Sequence, residues 1–114
     1  MDKQLSLDVK SLQSEAFDSL LKTTNITLLD VRTEEEYKEA HLTNSINIDI
    51  YDQSFIDKVQ NTIPKTSPIA IYCRSGRRSL HAAQLLKEEG YQVYNLKGGI
   101  LDWQAKGYKT QLTE

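Results

Sequence analysis

The fold is decided by the stretch Ile69-Ala70-Ile71-Tyr72-Cys73-Arg74-Ser75-Gly76-Arg77-Arg78-Ser79, in which an apolar run leads into a small, positively charged loop. The apolar run predicts a buried strand, and the helical pattern that follows Ser79 predicts a helix directly after the loop. The N-terminus of such a helix offers unpaired backbone N–H groups and the positive end of the helix dipole, which favour a thiolate and an anion bound beside it. We therefore expect Cys73, the only cysteine of the chain, to be reactive rather than structural.

The rest of the chain alternates between strand-like and helix-like patterns. We predict strands within residues 1–12 and at Ile26–Val31, Ser45–Ile48, Ile69–Tyr72 and Tyr91–Leu96. We predict helices at 15–22 with Ser14 as the cap, from Thr33 to about Ala40, at 51–63 and at 79–89, and a tight Gly98-Gly99 turn into residues 100–103. This alternation over short spacings predicts an open, mostly parallel, five-stranded α/β sheet with helices on both faces.

The segment Thr33-Glu34-Glu35-Glu36 has the pattern of a capping box. In that motif the threonine hydroxyl accepts from the Glu36 N–H, and the Glu36 carboxylate reaches back to the threonine N–H. Three consecutive acids also lie at the favourable positive end of the helix dipole. We interpret this acidic run as a helix start and nothing more.

The bulk properties of the chain predict one soluble domain. Its 114 residues fit a single domain, with a core at about residues 5–108 and a polar tail at 109–114 that we expect to fray. No apolar run approaches the roughly 18 residues that indicate a membrane span, and the N-terminal sequence lacks the pattern of a secretory signal. We expect a cytoplasmic protein with no membrane partner.

Charge and cysteine content narrow the kinds of partner. Residues 1–66 carry seven Lys/Arg against twelve Asp/Glu, and residues 67–114 carry seven against four, so the positive excess includes the Cys73 loop. That distribution favours a small anionic substrate over nucleic acid, for which no extended basic face is present. One cysteine and two histidines exclude an intramolecular disulfide and a zinc-type cluster, so we expect no metal.

Three predicted strands end on residues that can carry chemistry. Cys73 ends one, Asp30 and Arg32 lie at the end of another, and 97–99 follow a third. Ligands of open α/β sheets bind at the carboxyl ends of the strands, so these three loops should converge on one crevice.

The length of the Cys73 loop separates two cysteine chemistries. Phosphotyrosine-type phosphatases place five residues between the cysteine and an arginine that clamps the phosphate, whereas here the fifth residue after Cys73 is Arg78 and the sixth is Ser79. The loop is one residue short, so a tetrahedral phosphate would be cramped while a single sulfur atom would fit.

The loop Cys73–Ser79 resembles the six-residue active-site loop of the rhodanese family, the thiosulfate sulfurtransferases. Leu29-Asp30-Val31-Arg32, with Glu36-Tyr37 and His41-Leu42, resembles the family's first motif. Leu96-Lys97-Gly98-Gly99-Ile100, with Trp103, resembles its closing motif. Together the motifs cover about residues 26–105 in the expected order.

The chain departs from the family at one turn. Where a Gly-His-Ile-x-Gly-Ala pattern is usual, it reads Ala40-His41-Leu42-Thr43-Asn44-Ser45. Asn44 tolerates a left-handed backbone better than most residues, so we interpret the change as an adjustment of the turn.

The resemblance implies a two-step sulfur transfer with Cys73 as the nucleophile. The Cys73 thiolate attacks the outer sulfur of a donor such as thiosulfate, sulfite leaves, and a persulfide remains on the cysteine. The implied binding residues are Arg74, Ser75, Gly76, Arg77, Arg78, Ser79 and Arg32. We weigh Arg32 evenly between lining the pocket and pairing with Asp30, and we expect Asp30 to be a structural acceptor near the site.

The acceptor must come from outside the chain, because no second cysteine is present to resolve the persulfide. The resemblance implies cyanide or a cellular thiol as acceptor and requires no cofactor. Three functions stay open: a thiosulfate sulfurtransferase, a persulfide carrier that exchanges sulfur with a protein donor or acceptor, and, disfavoured by the short loop, a cysteine phosphatase. A preformed thiolate needs no general base, so we expect His41 to bond within its turn and His81 to be exposed.

Overall fold

The computed structural model describes residues 9–23 and 25–113, which form a single five-stranded sheet. The strands are β1 (Lys10–Leu12), β2 (Thr27–Asp30), β3 (Ile46–Asn47), β4 (Ile69–Tyr72) and β5 (Val93–Leu96). They lie in the order β1-β5-β4-β2-β3, and every neighbouring pair is parallel. The predicted fold class is confirmed, and β4 occupies the centre of the sheet.

Helices join the strands and cover both faces of the sheet. They are α1 (Ser14–Thr23), α2 (Glu34–Glu39), α3 (Phe55–Thr62), α4 (Arg77–Glu88) and α5 (Gly99–Ala105). Parallel neighbours need such crossover connections, which is why strands and helices alternate along the chain.

The alternation of side chains along β4 divides the core between the two faces. Ile69, Ile71 and Cys73 pack with buried residues of α3 and α4, whereas Ala70 and Tyr72 pack with buried residues of α1 and α5. All five residues are at most 1% exposed. A central parallel strand is buried on both sides, which explains why its sequence is a continuous apolar run.

Several predicted boundaries shift, for local reasons. Helix α3 begins at Phe55 rather than at 51, because the carboxylates of Asp49 and Asp52 accept the N–H groups of Tyr51 and Ser54 and hold that segment in turns. Helix α4 begins two residues earlier than predicted, at Arg77.

The predicted helix termini agree with the structure in one case and differ in another. The capping box of α2 is confirmed, with both reciprocal bonds between Thr33 and Glu36 present. Ser14, predicted as the cap of α1, is instead the first residue of the helix, and its hydroxyl donates to Asp102 at 2.7 Å. Asn44 has a left-handed φ of 71°, as the turn interpretation requires.

The two ends of the chain differ in how they meet the expectations. Leu5 and Leu7 of the predicted N-terminal strand lie outside the described residues, whereas Lys10–Leu12 form the edge strand β1. In the C-terminal segment, for which fraying stays a prediction, Gln111 exchanges two backbone hydrogen bonds of 2.8 Å with His41, and the Thr113 N–H donates to Lys38 at 2.8 Å. These bonds tie the segment to α2.

None of the helices in the described ranges is long and apolar enough to cross a membrane. In the same ranges, no three His, Cys, Asp or Glu side chains gather in a way that could hold a metal ion.

Candidate active site at the end of the central strand

Cys73 follows β4 directly and is 1% exposed. Its carbonyl accepts the N–H of Ile100 at 2.9 Å, and the carbonyl of Arg74 accepts the N–H of Leu101 at 3.1 Å. The first N–H groups of α5 therefore satisfy the first two carbonyls of the loop. These bonds fix the start of the loop against the first turn of α5.

Gly76 brings the loop backbone to the sulfur. Its N–H donates to the Cys73 Sγ at 3.1 Å, and its φ of 102° lies in the left-handed region that favours glycine. A Cβ at this position would lie 2.3 Å from the carbonyl oxygen of Lys97. Both the backbone conformation and the close approach to the β5 loop thus require glycine.

Helix α4 begins immediately after Gly76. The N–H groups of Arg77, Arg78 and Ser79 make no hydrogen bond with any residue that the structure describes. They form the positive end of a twelve-residue helix whose first turn contains no acid. The sulfur, bonded by the Gly76 N–H, therefore lies next to the residue that precedes this helix, and both the N–H and the dipole favour negative charge.

The loop after β5, at residues 97–99, packs against the Cys73 loop so closely that backbone lies against backbone. A Cβ on Gly99 would lie 2.3 Å from the Arg74 carbonyl oxygen and 2.6 Å from the Ser75 nitrogen. Gly99 also has a positive φ of 66°. The loops after β4 and β5 therefore support each other, as their position at one edge of the sheet predicts.

The Ser79 side chain, predicted to bind substrate, is committed elsewhere. It is 0% exposed, and its hydroxyl donates to the Asn95 Oδ1 at 2.6 Å. Asn95 in turn donates to the Ser11 hydroxyl at 3.2 Å, so the serine links α4 to strands β5 and β1. Its backbone N–H at the helix start is the part of Ser79 that can face an anion.

Arg78 pairs with Glu36, an acid that the capping-box pattern explains only as part of a helix start. Its Nη1 and Nη2 donate to the Oε1 and Oε2 of Glu36 at 2.8 and 2.9 Å. The interpretation of the acidic run as a helix start and nothing more is therefore wrong for Glu36. The capping-box pattern explained this residue locally, and nothing in the sequence pairs it with a residue 42 positions away.

This ion pair shifts the pKa of both partners away from neutral pH. The hydrogen bonds from Arg78 lower the pKa of Glu36 to about 2. The same contact raises the pKa of Arg78, with smaller effects at longer range from Cys73 and Tyr51. Arg78 thus reaches the site with its charge largely balanced by Glu36.

Arg32 and Asp30 form a buried pair at the end of β2. Arg32 is 4% exposed and donates to Asp30 from its backbone N at 2.9 Å and from Nη2 at 2.6 Å, while Nη2 also donates to the Ala40 carbonyl at 2.6 Å. Burial opposes the charge of Arg32, but the bonds to Asp30 prevail and raise the pKa of the guanidinium. Asp30 therefore accepts from both the backbone N–H and the guanidinium of Arg32.

Arg32 also borders a small cleft beside the loop. The cleft has a volume of about 170 Å³ and is shared with Arg74, Glu36 and Glu39. Arg32 thus both pairs with Asp30 and lines this cleft. A larger cleft of about 590 Å³, between α2 and the start of α3, is lined by no residue of the Cys73 loop.

The remaining loop arginines face solvent. Arg74 and Arg77 are exposed, as is Lys97 on the neighbouring loop. No acid of the described residues lies within ion-pair distance of any of the three. They are free to attract an anion toward the loop.

The two histidines lie as predicted. The Nδ1 of His41 bonds to the Tyr37 carbonyl at 2.8 Å. The imidazole of His41 also stacks on the ring of Tyr37, with the ring centres 4.0 Å apart. His81 is exposed on α4.

Comparison with known protein families shows to which family the chain belongs. A sequence model described as the rhodanese-like domain matches residues 13–106. This chain belongs to the rhodanese family. Its cysteine motif and its closing motif meet backbone against backbone at Cys73, and Arg32 of its first motif shares a cleft with Arg74.

Relatives of this rhodanese include sulfurtransferases and a sulfur carrier. It is 34% identical over 101 residues to a sulfurtransferase from Allochromatium vinosum, covering 87% of this chain and 92% of the relative. It is 34% identical over 88 residues to the thiosulfate sulfurtransferase GlpE of Coxiella burnetii, covering 75% and 78%. It is 33% identical over 100 residues to the putative sulfur carrier protein YrkF of Bacillus subtilis, covering 86% of this chain and 52% of that protein.

Solved structures agree with the fold. The crystal structure of a rhodanese-like domain protein from Staphylococcus aureus superposes with a TM-score of 0.77 at 25% identity, over 93% of this chain and all of that chain.

Proposed function

We propose that this rhodanese transfers sulfur from thiosulfate to an external acceptor through a persulfide on Cys73. The observation that carries the proposal is the 3.1 Å contact from the Gly76 N–H to Sγ, made at the N-terminus of α4. A thiolate is the nucleophilic form of cysteine, and a backbone donor on its sulfur beside a helix N-terminus favours it without a general base.

In the first step the thiolate attacks the outer sulfur of thiosulfate. A bond forms between Sγ and that sulfur, the bond to the sulfonate sulfur breaks, and its electron pair leaves with sulfite. The persulfide that remains is an anion, so the N–H groups that favoured the thiolate also favour the intermediate. The exposed Arg74 and Arg77 are placed to attract the dianionic donor and to hold the sulfite end as it departs.

In the second step an acceptor removes the outer sulfur. The cyanide carbon or a thiolate attacks it, the bond to Sγ breaks, and the electron pair returns to Cys73. The chain contains no other cysteine, so the acceptor must be a separate molecule. A thiol that must stay reduced between turnovers also fits our expectation of a cytoplasmic location.

Phosphatase chemistry fits the loop less well. The loop is one residue shorter than the phosphatase pattern, and Arg78, which would have to clamp the phosphate, is engaged by both carboxylate oxygens of Glu36. We expect no appreciable hydrolysis of an aryl phosphate.

A second candidate is a persulfide carrier that exchanges sulfur with a protein. The likeness to a protein named as a putative sulfur carrier favours it. In that case a partner's persulfide, rather than thiosulfate, is the efficient donor, and turnover of thiosulfate should be slow and weakly saturable.

Rapid-quench kinetics test the leading proposal. Without an acceptor, the enzyme should release one equivalent of sulfite per Cys73 in a burst and then stop; adding cyanide should produce thiocyanate and restore turnover. A Cys73→Ser variant should give no burst. Replacing Arg77 with glutamine should raise KM for thiosulfate. Lys65→Gln, which removes a charge just before β4 and so at the amino ends of the strands, should leave KM unchanged. A wild-type enzyme that releases no sulfite would contradict the proposal.

A further inference from the structure

A group of exposed side chains surrounds the Cys73 loop, and we call it the loop face. Its members are Arg74, Arg77, Leu80, Lys97 and Leu101, all of them exposed. Each is tied to the loop through the backbone. Arg74 and Arg77 flank it in the chain, and the N–H groups of Leu80 and Leu101 donate to the carbonyls of Gly76 and Arg74 at 3.1 Å. The Lys97 carbonyl abuts Gly76.

The loop face is positively charged although the whole chain has a net charge of −2. Its three cations have no acidic partner among the described residues. The nearby acids are mostly engaged. Glu36 pairs with Arg78, and Asp102 bonds to Ser14 and Lys106. Glu39 lines the 170 Å³ cleft with Arg74 but does not pair with it.

The loop face is also apolar, and a small inorganic anion does not explain that. Leu80 is 38% and Leu101 is 44% exposed. They are two of the four large apolar side chains that are exposed in the described part of the chain, the others being Tyr51 and Leu112, and both are bonded through their N–H groups to the loop. Exposed apolar groups beside a reactive loop are typical of a site that contacts a larger partner.

We propose that the loop face docks an acidic protein segment with apolar residues, which presents a cysteine to Cys73. Carboxylates of the segment complement Arg74, Arg77 and Lys97, and its apolar side chains cover Leu80 and Leu101. This rests on the proposed function and names the class of its sulfur-exchange partner. The partner's thiolate attacks the outer sulfur of the Cys73 persulfide, the bond to Sγ breaks, its electron pair returns to Cys73, and the partner leaves as a persulfide.

Synthetic peptides provide the test. Three peptides each contain one cysteine and two leucines. Their remaining positions are all glutamate in the first, all glutamine in the second and all lysine in the third. The full chain is loaded with thiosulfate, excess donor is removed, and the rate of sulfur transfer to each peptide is measured. If thiosulfate does not load Cys73, the proposed function fails; inorganic polysulfide then supplies the persulfide, so docking is still tested.

At low salt the glutamate peptide should react about tenfold or more faster than the lysine peptide, and the advantage should shrink as salt rises. A Lys97→Glu variant should lose most of this preference. A Leu101→Ser variant should transfer sulfur more slowly to the glutamate peptide, but not to a glutamate peptide in which serines replace the two leucines. Lys65→Glu, the same charge change just before β4 and so at the amino ends of the strands, should leave the preference intact. Equal rates for the three peptides, or equal effects of Lys97→Glu and Lys65→Glu, would overturn the proposal.

Discussion

Replacing Gly99 with alanine should destabilise the domain and displace the cysteine loop. The new Cβ would lie 2.3 Å from the Arg74 carbonyl oxygen, 2.4 Å from its carbon and 2.6 Å from the Ser75 nitrogen, and backbone atoms cannot rotate away as a side chain can. Overpacking of this kind costs about 1–3 kcal/mol. Holding an alanine in the left-handed region, at a φ of 66°, costs about 1–2 kcal/mol more. The total of about 2–5 kcal/mol is a large part of the roughly 5–15 kcal/mol that stabilises a typical domain.

Gly107→Ala is the matched control. Gly107 also has a positive φ, of 87°, but a Cβ there would meet nothing within 4 Å, so the variant should lose only the backbone cost of about 1–2 kcal/mol. With about 4 °C of Tm per kcal/mol, thermal unfolding should show a drop of about 8–20 °C for Gly99→Ala and about 4–8 °C for Gly107→Ala. Gly99→Ala should also load sulfur more slowly. Equal Tm losses in the two variants, or full-speed loading by Gly99→Ala, would refute the reasoning.

Two further variants test the network around the loop. Tyr72→Phe removes the buried acceptor of the Leu42 N–H, a 3.0 Å bond, and should cost about 1–3 kcal/mol in urea unfolding; an unchanged free energy of unfolding would contradict the role of this hydroxyl. Glu36→Gln should lower stability at neutral pH, because Arg78 stabilises the ionised carboxylate and lowers its pKa to about 2. A depressed folded-state pKa gives stability that is complete above the unfolded value and lost as the pH falls through the folded one, so the deficit of the variant should shrink from about pH 4.5 toward about pH 2. A deficit that is constant down to pH 3 would show that charge is not its origin.

The sequence carried most of the fold because each signal was local. A continuous apolar run predicted the buried strand β4, and the Thr33–Glu36 pattern predicted the capping box that starts α2. The boundaries that shifted lie where side chains bond locally to backbone, as at Asp49 and Asp52 before α3. The polar composition of the C-terminal segment does not reveal that Gln111 pairs with His41.

In the candidate site, too, the features with a local sequence signal were predicted and the long-range contacts were not. The cysteine, the glycine that brings an N–H to it and the convergence of three loops followed from motif and topology. The partners of Ser79 and Arg78 did not, since Asn95 and Glu36 are brought to them only by the tertiary fold. Those two contacts decide which polar groups remain available to an anion.

The most direct test of the account is the intact mass of the protein after incubation with thiosulfate and removal of the donor. We expect wild-type protein to gain the mass of one sulfur atom, to carry it on the peptide that contains Cys73, and to lose it when cyanide is added, while Cys73→Ser gains nothing. A wild-type mass that does not change, or a gain that persists in Cys73→Ser, would contradict the central claim that Cys73 carries the transferred sulfur.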